Sequence, residues 1–160
     1  MLALLCVAAR DPVFRATSDL VLLAPPGHIL TPVMAEEAVG AAFPERYGVK
    51  TLKSIGQHVL GTWGQGGHLR GMVIKRRARA TATPAATAYA LLLGYLSGVR
   101  GLALFETLWA RLLDAAPAEL DGLAFAAAQR GWLDYRRIGD VVQIEFPALM
   151  GAAEVAHSEH

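Results

Sequence analysis

Proline directly after a capping residue occurs twice in the first third of the chain and restricts where helices can begin. Asp11-Pro12 and Thr31-Pro32 each match a helix N-cap followed by the first helical residue. The first helix is predicted to end at Pro25-Pro26-Gly27 and the second, shorter one at Pro44. Alanine, the strongest helix former, accounts for 29 of the 160 residues. The chain is therefore predicted to be mostly helical.

A third helix, from Lys50 to about Gln65, is predicted to have two different faces. At 100° per residue, one arc is apolar and should face a core; it contains Leu52, Ile55, Val59, Leu60 and Trp63. The opposite arc is polar and contains Lys50, Lys53, Ser54, Gln57, His58, Gly61 and Gly64. Each interior glycine costs a helix about 0.5–1 kcal/mol relative to alanine. We therefore expect Gly61 and Gly64 to permit the close approach of a backbone.

The glycines that end this helix have the outline of a nucleotide-binding loop without its chemistry. A P-loop places Lys and then Ser or Thr after its last glycine, because an ammonium and a hydroxyl must reach the outer phosphates and Mg²⁺. Here Gly67 and His68 follow Gly66. We interpret Gly66 and Gly67 as the end of the helix and expect no nucleotide cofactor.

The cations of the chain are concentrated in one stretch. Residues 45–79 carry eight Lys or Arg and one acid, Glu45, whereas the residues on either side are net acidic. A nearly neutral chain with this distribution can present a face that binds a polyanion. Residues 70–79 are predicted to form a strand pair with a basic tip. The alternative is a solvated basic loop balanced by acids elsewhere in the fold.

The pattern of the second half of the chain predicts two core helices, one from Pro84 and one over residues 103–114. A further helix and a hairpin around Gly139-Asp140 are predicted to follow.

Two segments resemble each other: Gln65–Leu69 and Gln129–Leu133 both close a helix with glycine and continue with an aromatic ring and leucine. A candidate β-ribbon follows each. Two helix-turn-helix units with wings would explain the similarity, and so would coincidence between two helix ends.

The predicted fold is mainly α: a compact helical protein with helix-turn-helix or winged-helix-like modules and short β-ribbons. The expected organisation is an N-terminal module with a basic wing at residues 1–83, a C-terminal module at 84–150 and a flexible tail at 151–160.

Several classes of protein lack their required residues here. The single cysteine, Cys6, excludes a disulfide framework, and the five histidines do not have metal-ligand spacing. There is no Gly-x-Ser-x-Gly nucleophile elbow. We therefore predict a protein that is not an enzyme and has no metal or cofactor. The apolar segments Met1–Ala9 and Pro84–Val99 are too short to span a bilayer, and without an export signal a cytoplasmic location is expected.

The function predicted from these patterns is non-catalytic binding of double-stranded DNA. A helix-turn-helix protein inserts one helix into the major groove, while nearby cations and backbone N–H groups bind phosphates. Gln57 is suited to adenine and Lys53 to guanine, and the later cations would make affinity depend on salt. The candidate DNA-binding residues are Lys50, Lys53, Ser54, Gln57, His58, Gly61, Arg70, Lys75, Arg76, Arg77 and Arg79. Three alternatives stay open: lysines that only solubilise a helix, a protein–protein adaptor, and a ligand-sensing repressor.

The stretch from Lys50 to Arg100 also resembles a known family. Its segments TLKSIGQHVLGTWGQGGHLRG, KRRARATATP and YALLLGYLSGVRG are similar to the small helical BrxA-like accessory proteins of bacterial BREX phage-defence islands. The resemblance covers the whole chain loosely and the middle third best. It implies winged-helix-like modules, association with DNA in the cytoplasm, and work beside a methyltransferase and large ATPases. It carries over no set of functional residues.

Overall fold

The structure is a computed structural model that describes residues 1–150 of the 160. The chain divides into two compact units, unit 1 from Met1 to Thr81 and unit 2 beginning at Ala82. The predicted mainly α class is confirmed, with a few short antiparallel strands. The predicted tail, residues 151–160, lies outside the described residues.

Unit 1 consists of five α-helices and a small sheet. In chain order its elements are α1 (Leu2–Arg10), α2 (Pro12–Arg15), α3 (Ser18–Leu22), β1 (Ile29–Leu30), α4 (Pro32–Ala42), α5 (Val49–Gln65), β2 (Leu69–Arg70) and β3 (Lys75–Arg77). The strands form one antiparallel sheet in the order β1-β3-β2. Neither α1 nor β1 was predicted, because α1 has no proline-marked start and β1 has only two residues.

The predicted helix starts are confirmed by side-chain caps. A carboxylate oxygen of Asp11 accepts a hydrogen bond from the backbone N–H of Val13 at 2.8 Å. The hydroxyl of Thr31 accepts from the N–H of Met34 at 3.4 Å. Both caps satisfy N–H groups that have no partner inside the helix.

The single helix predicted after Asp11 is wrong, because the segment forms α2 and α3 with a break at Ala16 and Thr17. The Thr17 hydroxyl donates to the carbonyl of Phe14 at 2.8 Å. Side-chain bonds of this kind compete with regular helix. The same oxygen accepts from the indole N–H of Trp63 at 2.9 Å, a partner 46 residues away. Local apolar spacing contains no sign of such a contact.

Trp63 lies at the centre of the core of unit 1. Its side chain is fully buried and stacks on Phe14 with ring centroids 4.6 Å apart. The ring of His68 lies edge-on at 4.9 Å. The bond to Thr17 satisfies the indole N–H, which would be costly to bury alone. Since Trp63 belongs to the predicted apolar arc of α5, its burial turns that arc towards the core.

The crossing of α4 and α5 depends on Gly56. A β-carbon at this position would lie 2.5 Å from the carbonyl oxygen of Pro32 and 2.8 Å from Cγ of Glu36. No side chain can occupy that space unless the helices separate. A β-carbon on Gly61 would have no atom within 4 Å. Packing within α5 therefore requires glycine at Gly56, while Gly61 borders open space.

Unit 2 contains three α-helices, a 3-10 helix and a hairpin within its described part. They are α6 (Pro84–Leu96), the 3-10 helix Gly101–Glu106, α7 (Leu108–Arg111), α8 (Pro117–Gln129), β4 (Asp134–Ile138) and β5 (Val141–Glu145). The two strands are antiparallel, with Ile138 opposite Val141 at the turn. The predicted positions of α6, of α8 and of the hairpin are confirmed.

The single helix predicted over residues 103–114 is wrong. The segment is divided at Thr107, whose backbone is extended at φ −64° and ψ 158°. The Thr107 hydroxyl accepts from the N–H of Ala110 at 3.3 Å and so caps α7. Threonine favours this cap position over a helix interior, and apolar periodicity alone did not reveal it.

The core of unit 2 lies between α6, α8 and one face of the hairpin. Its strand β5 alternates, with Val142 and Ile144 buried and their neighbours exposed. The buried cluster consists of Ala88, Leu91, Leu104, Ala124, Ala127, Leu133, Val142, Ile144 and Phe146.

The two similar sequence segments have the same local structure. After α5, Gly67 has φ +90°, and the N–H of His68 donates to the carbonyl of Trp63 at 3.1 Å. After α8, Gly131 has φ +73°, and the N–H of Trp132 donates to the carbonyl of Ala127 at 3.2 Å. Both are Schellman caps that lead to a buried leucine and an antiparallel strand pair. The predicted β-ribbon after each helix is confirmed.

Replacing Gly56 with alanine is expected to lower the free energy of unfolding of unit 1 by about 1–3 kcal/mol, the usual cost of overpacking. The new β-carbon would collide with the carbonyl of Pro32. Gly61→Ala, in the same helix, is the matched control and should leave stability unchanged or raise it by up to about 1 kcal/mol. Urea denaturation followed by circular dichroism measures both, and equal effects would contradict the described crossing.

Candidate nucleic-acid interface

The polar arc of α5 is exposed along the first half of the helix. Lys50, Lys53, Ser54, Gln57 and His58, which we call the outer face of α5, are all exposed, as predicted. The first turn has no acidic residue, and its N-cap residue contributes no side-chain hydrogen bond. The positive end of the helix dipole therefore lies next to a lysine, an arrangement that a bound anion would stabilise.

A second group of cations lies on the strand pair β2–β3, which we call the basic hairpin (residues 69–77). Arg70 and Arg76 are direct cross-strand partners, and both are exposed. Like charges directly opposite each other are destabilising in a sheet. Arg76 donates to the carbonyl of Gly27 at 3.4 Å. The sequence has no Asp or Glu between Glu45 and Glu106, so this segment does not neutralise its own charge.

Lys75 connects the basic hairpin to α5. Its ammonium nitrogen would lie 3.8 Å from a β-carbon on Gly64, in the last turn of the helix. A cation there is favourable, because the carbonyl end of a helix is negative. Lys50 and Lys75 thus lie near opposite ends of α5, roughly 20 Å apart at the helical rise of 1.5 Å per residue.

Four of these cations are not held in ion pairs with the part of the chain that the structure describes. Within residues 1–150, Lys50, Lys53, Arg70 and Lys75 form no salt bridge. Arg79 is exposed, as predicted. Unit 1 as a whole carries ten Lys or Arg against five Asp or Glu. The charges of Lys50, Lys53 and Arg70 are therefore exposed and available to a ligand.

Arg77 does not belong to this surface. It is 7% exposed, because it occupies the face of β3 that turns towards the core. Its guanidinium donates to the carbonyl of His68 at 3.4 Å and to the carbonyl of Ala78. We therefore leave Arg77 out of the candidate interface. A strand places alternate residues on opposite faces, so a run of three cations could not all face solvent.

The tip of the basic hairpin is apolar, so the predicted basic tip is wrong. The turn consists of Gly71, Met72, Val73 and Ile74, and the cations lie behind it in the strands. The prediction treated residues 70–79 as one basic segment. The four-residue run without charge between Arg70 and Lys75 was the available signal.

Unit 2 is net acidic, and one arginine of its hairpin forms a salt bridge within the unit. Its residues 82–150 carry five arginines and seven acids. The guanidinium of Arg137 contacts the carboxylate of Asp121 at 2.5 Å, and the hydroxyl of Tyr135 donates to the same carboxylate. The bond from Tyr135, then the bond and charge of Arg137, lower the pKa of Asp121. Desolvation, followed by the bond to Asp121, raises the pKa of Tyr135.

No group of three His, Cys, Asp or Glu side chains gathers into a possible metal site among residues 1–150. In the same part of the chain, no helix combines the length and apolar character needed to cross a bilayer. No protein-family model, curated protein or solved structure matches the chain.

The pKa of Asp121 gives a test of the charge pairing in unit 2. Replacing Arg137 with glutamine is expected to raise this pKa towards the ordinary aspartate value, because a hydrogen bond and a positive charge are removed. Since the folded-state pKa is lowered, the contribution of Asp121 to stability is present above the unfolded-state pKa. It is lost as pH falls through the folded-state pKa. Carboxyl-detected NMR titration of both proteins measures the shift, and identical pKa values would contradict the contact.

Proposed function

We propose that unit 1 is a winged helix-turn-helix module that binds double-stranded DNA. The observation that carries the proposal is a set of exposed cations, Lys50 and Lys53 at the start of α5 and Arg70 and Arg76 on the basic hairpin that follows it, together with the polar residues on the outer face of α5. The order of elements supports it: β1 precedes α4 and α5, and the basic hairpin follows and pairs with β1. This order of elements is similar to that of a winged helix, and the proposal assigns α5 the role of the recognition helix.

In this proposal α5 enters the major groove with its first turns towards the bases. Gln57 has the donor and acceptor needed for the N6 and N7 groups of adenine, and Lys53 can donate to guanine. Ser54 and His58 are neighbours on the same outer face. The uncapped N–H groups at the start of α5 and the ammonium of Lys50 are suited to a phosphate.

The basic hairpin contributes phosphate contacts and not sequence readout. Arg70 and Arg76 repel each other across the strands, and a phosphate between them would relieve that repulsion. Lys75 and Arg79 add positive charge near them. Phosphate contacts position a protein on the duplex and make its affinity depend on salt.

The wider biological role rests on the sequence resemblance. We propose a non-catalytic, cytoplasmic component of a BREX-like bacterial defence system, with a methyltransferase and ATPases as possible partners. Unit 2 has the order α6, 3-10 helix, α7, α8 and hairpin, and the Schellman caps shared by the two units support a second winged-helix module. Its acidic balance is unfavourable for DNA binding through unit 2 alone.

One observation favours the adaptor function as a second candidate. In unit 2, Phe125 is exposed on α8, and Trp132 is partly exposed directly after that helix. Exposed aromatic side chains are enriched at protein–protein interfaces. An acidic unit with such a surface is suited to a protein partner. The two functions are compatible, since they use different units.

Binding of the full chain to a mixed-sequence duplex is expected to weaken steeply with salt. Each phosphate contact lowers log K by about 0.9 per log unit of salt. Replacing Lys53 and Arg76 with glutamate should weaken binding strongly and reduce this slope by about two contacts, or roughly 1.8. Fluorescence anisotropy at several salt concentrations measures both quantities.

The matched control reverses two arginines of unit 2, Arg130→Glu with Arg136→Glu. It makes the same change in net charge, and the proposal expects wild-type DNA affinity within about threefold, because only a long-range charge effect remains. No binding by the wild-type protein at low salt, or equal losses in both variants, would refute binding through unit 1. Retention of a protein partner by the Lys53→Glu, Arg76→Glu variant would then favour the adaptor.

A further inference from the structure

Two hydrophobic side chains lie at the end of the basic hairpin, almost completely in water. Met72 is 92% exposed and Val73 is 94% exposed, and Ile74 beside them is about half exposed. They are contiguous, and exposed apolar clusters of this kind mark interaction sites. DNA binding through α5 and phosphates gives them no role, so they require an explanation of their own.

The turn that carries them has a defined shape. Gly71 has φ +103°, and a β-carbon there would lie 2.0 Å from the carbonyl oxygen of Ile74. The chain therefore folds back on itself at a position where only glycine fits. Behind the turn, Leu69 pairs with Arg77 and Arg70 pairs with Arg76. Met72 and Val73 are presented together at one end of a short, closed hairpin.

The charges around the tip indicate what it contacts. Arg70, Lys75 and Arg76 lie within the two strands that carry the tip, and this part of the chain contains no acid. A ligand that binds the tip must therefore offer an apolar cavity with negative charges on both sides of it. Duplex DNA meets this requirement, because stacked bases lie between two rows of phosphates. Proteins of several folds insert Met, Ile or Leu between base steps while Arg or Lys contacts the backbone.

We propose that the tip of the basic hairpin is a wedge: Met72, supported by Val73, inserts into a base step of duplex DNA, and Arg70 and Arg76 bind the flanking phosphates. This inference rests on the proposed DNA binding of unit 1 and adds that binding deforms the duplex. Insertion unstacks and unwinds one step per bound protein. Pyrimidine–purine steps unstack most easily, so the wedge gives a preference for flexible DNA without hydrogen bonds to bases.

DNA topology gives a direct test that does not require a known binding sequence. Full-length protein is bound to a closed circular plasmid, the plasmid is relaxed with topoisomerase I, the protein is removed, and the linking number is measured. The wedge predicts that wild-type protein lowers the linking number in proportion to the amount bound. Met72→Ser with Val73→Ser should bind about 10- to 100-fold more weakly, the loss expected for one buried apolar side chain. At saturation it should leave the linking number unchanged.

A matched control is present in the other hairpin. Ile138 and Val141, which are 83% and 72% exposed, flank the turn of the β4–β5 hairpin in unit 2. Ile138→Ser with Val141→Ser removes the same number of exposed apolar side chains and should leave the change in linking number at the wild-type value. Unchanged melting temperatures of both double variants verify that each is folded.

The outcomes separate the wedge from DNA binding itself. Salt-dependent binding of the wild-type protein with no change in linking number overturns the wedge and leaves the proposed function intact. A full change in linking number by the Met72→Ser, Val73→Ser variant also overturns it, because the deformation then has another source. If that variant loses a protein partner but keeps wild-type effects on DNA, the tip is a protein-docking site and the wedge is wrong. No DNA binding at low salt refutes the proposed function and the wedge together.

Discussion

The burial of Trp63 determines what unit 1 presents to solvent. Stacked on Phe14 and bonded to the Thr17 hydroxyl, this side chain joins the end of α5 to the α2–α3 segment. With Trp63 inside, the helical period places Lys50, Lys53 and Gln57 outside. Beyond Trp63, the Schellman cap at Gly67 ends α5 and directs the chain into β2. The orientation of the candidate recognition helix therefore follows from one packed indole.

The two units have similar endings but different surfaces. Each ends its last helix with a Schellman cap and continues into an antiparallel strand pair. In unit 2 the hairpin arginine Arg137 is paired with Asp121, whereas in unit 1 the hairpin cations have no acid in their own segment. The same local backbone structure, a Schellman cap followed by a strand pair, can therefore occur with different surface charges. The difference in charge, and not in fold, is what directs the proposed DNA contact to unit 1.

The sequence predicted the helices, caps and turns whose signals are local. The predictions failed where the deciding contact joins residues that are distant in the chain. The face of α5, the caps at Asp11 and Thr31 and the hairpin at Gly139-Asp140 were all predictable from periodicity and turn chemistry. The break at Thr17 was not, because apolar spacing does not reveal that its hydroxyl bonds both the carbonyl of Phe14 and the indole of Trp63. The requirement for glycine at Gly56 was not predictable either, because it arises from contact with the carbonyl of Pro32 in another helix. In the candidate site, the exposure of the α5 residues was predicted. The burial of Arg77 and the position of the apolar tip were not, because both depend on strand register, which composition does not determine.

The most direct measurement is a map of amide chemical-shift changes in the full chain on addition of a duplex at low salt. The account predicts that the largest changes fall in residues 49–58 of α5 and 69–77 of the basic hairpin, with little change in α8 or in the β4–β5 hairpin. The largest changes in unit 2, or none in α5, would contradict the account.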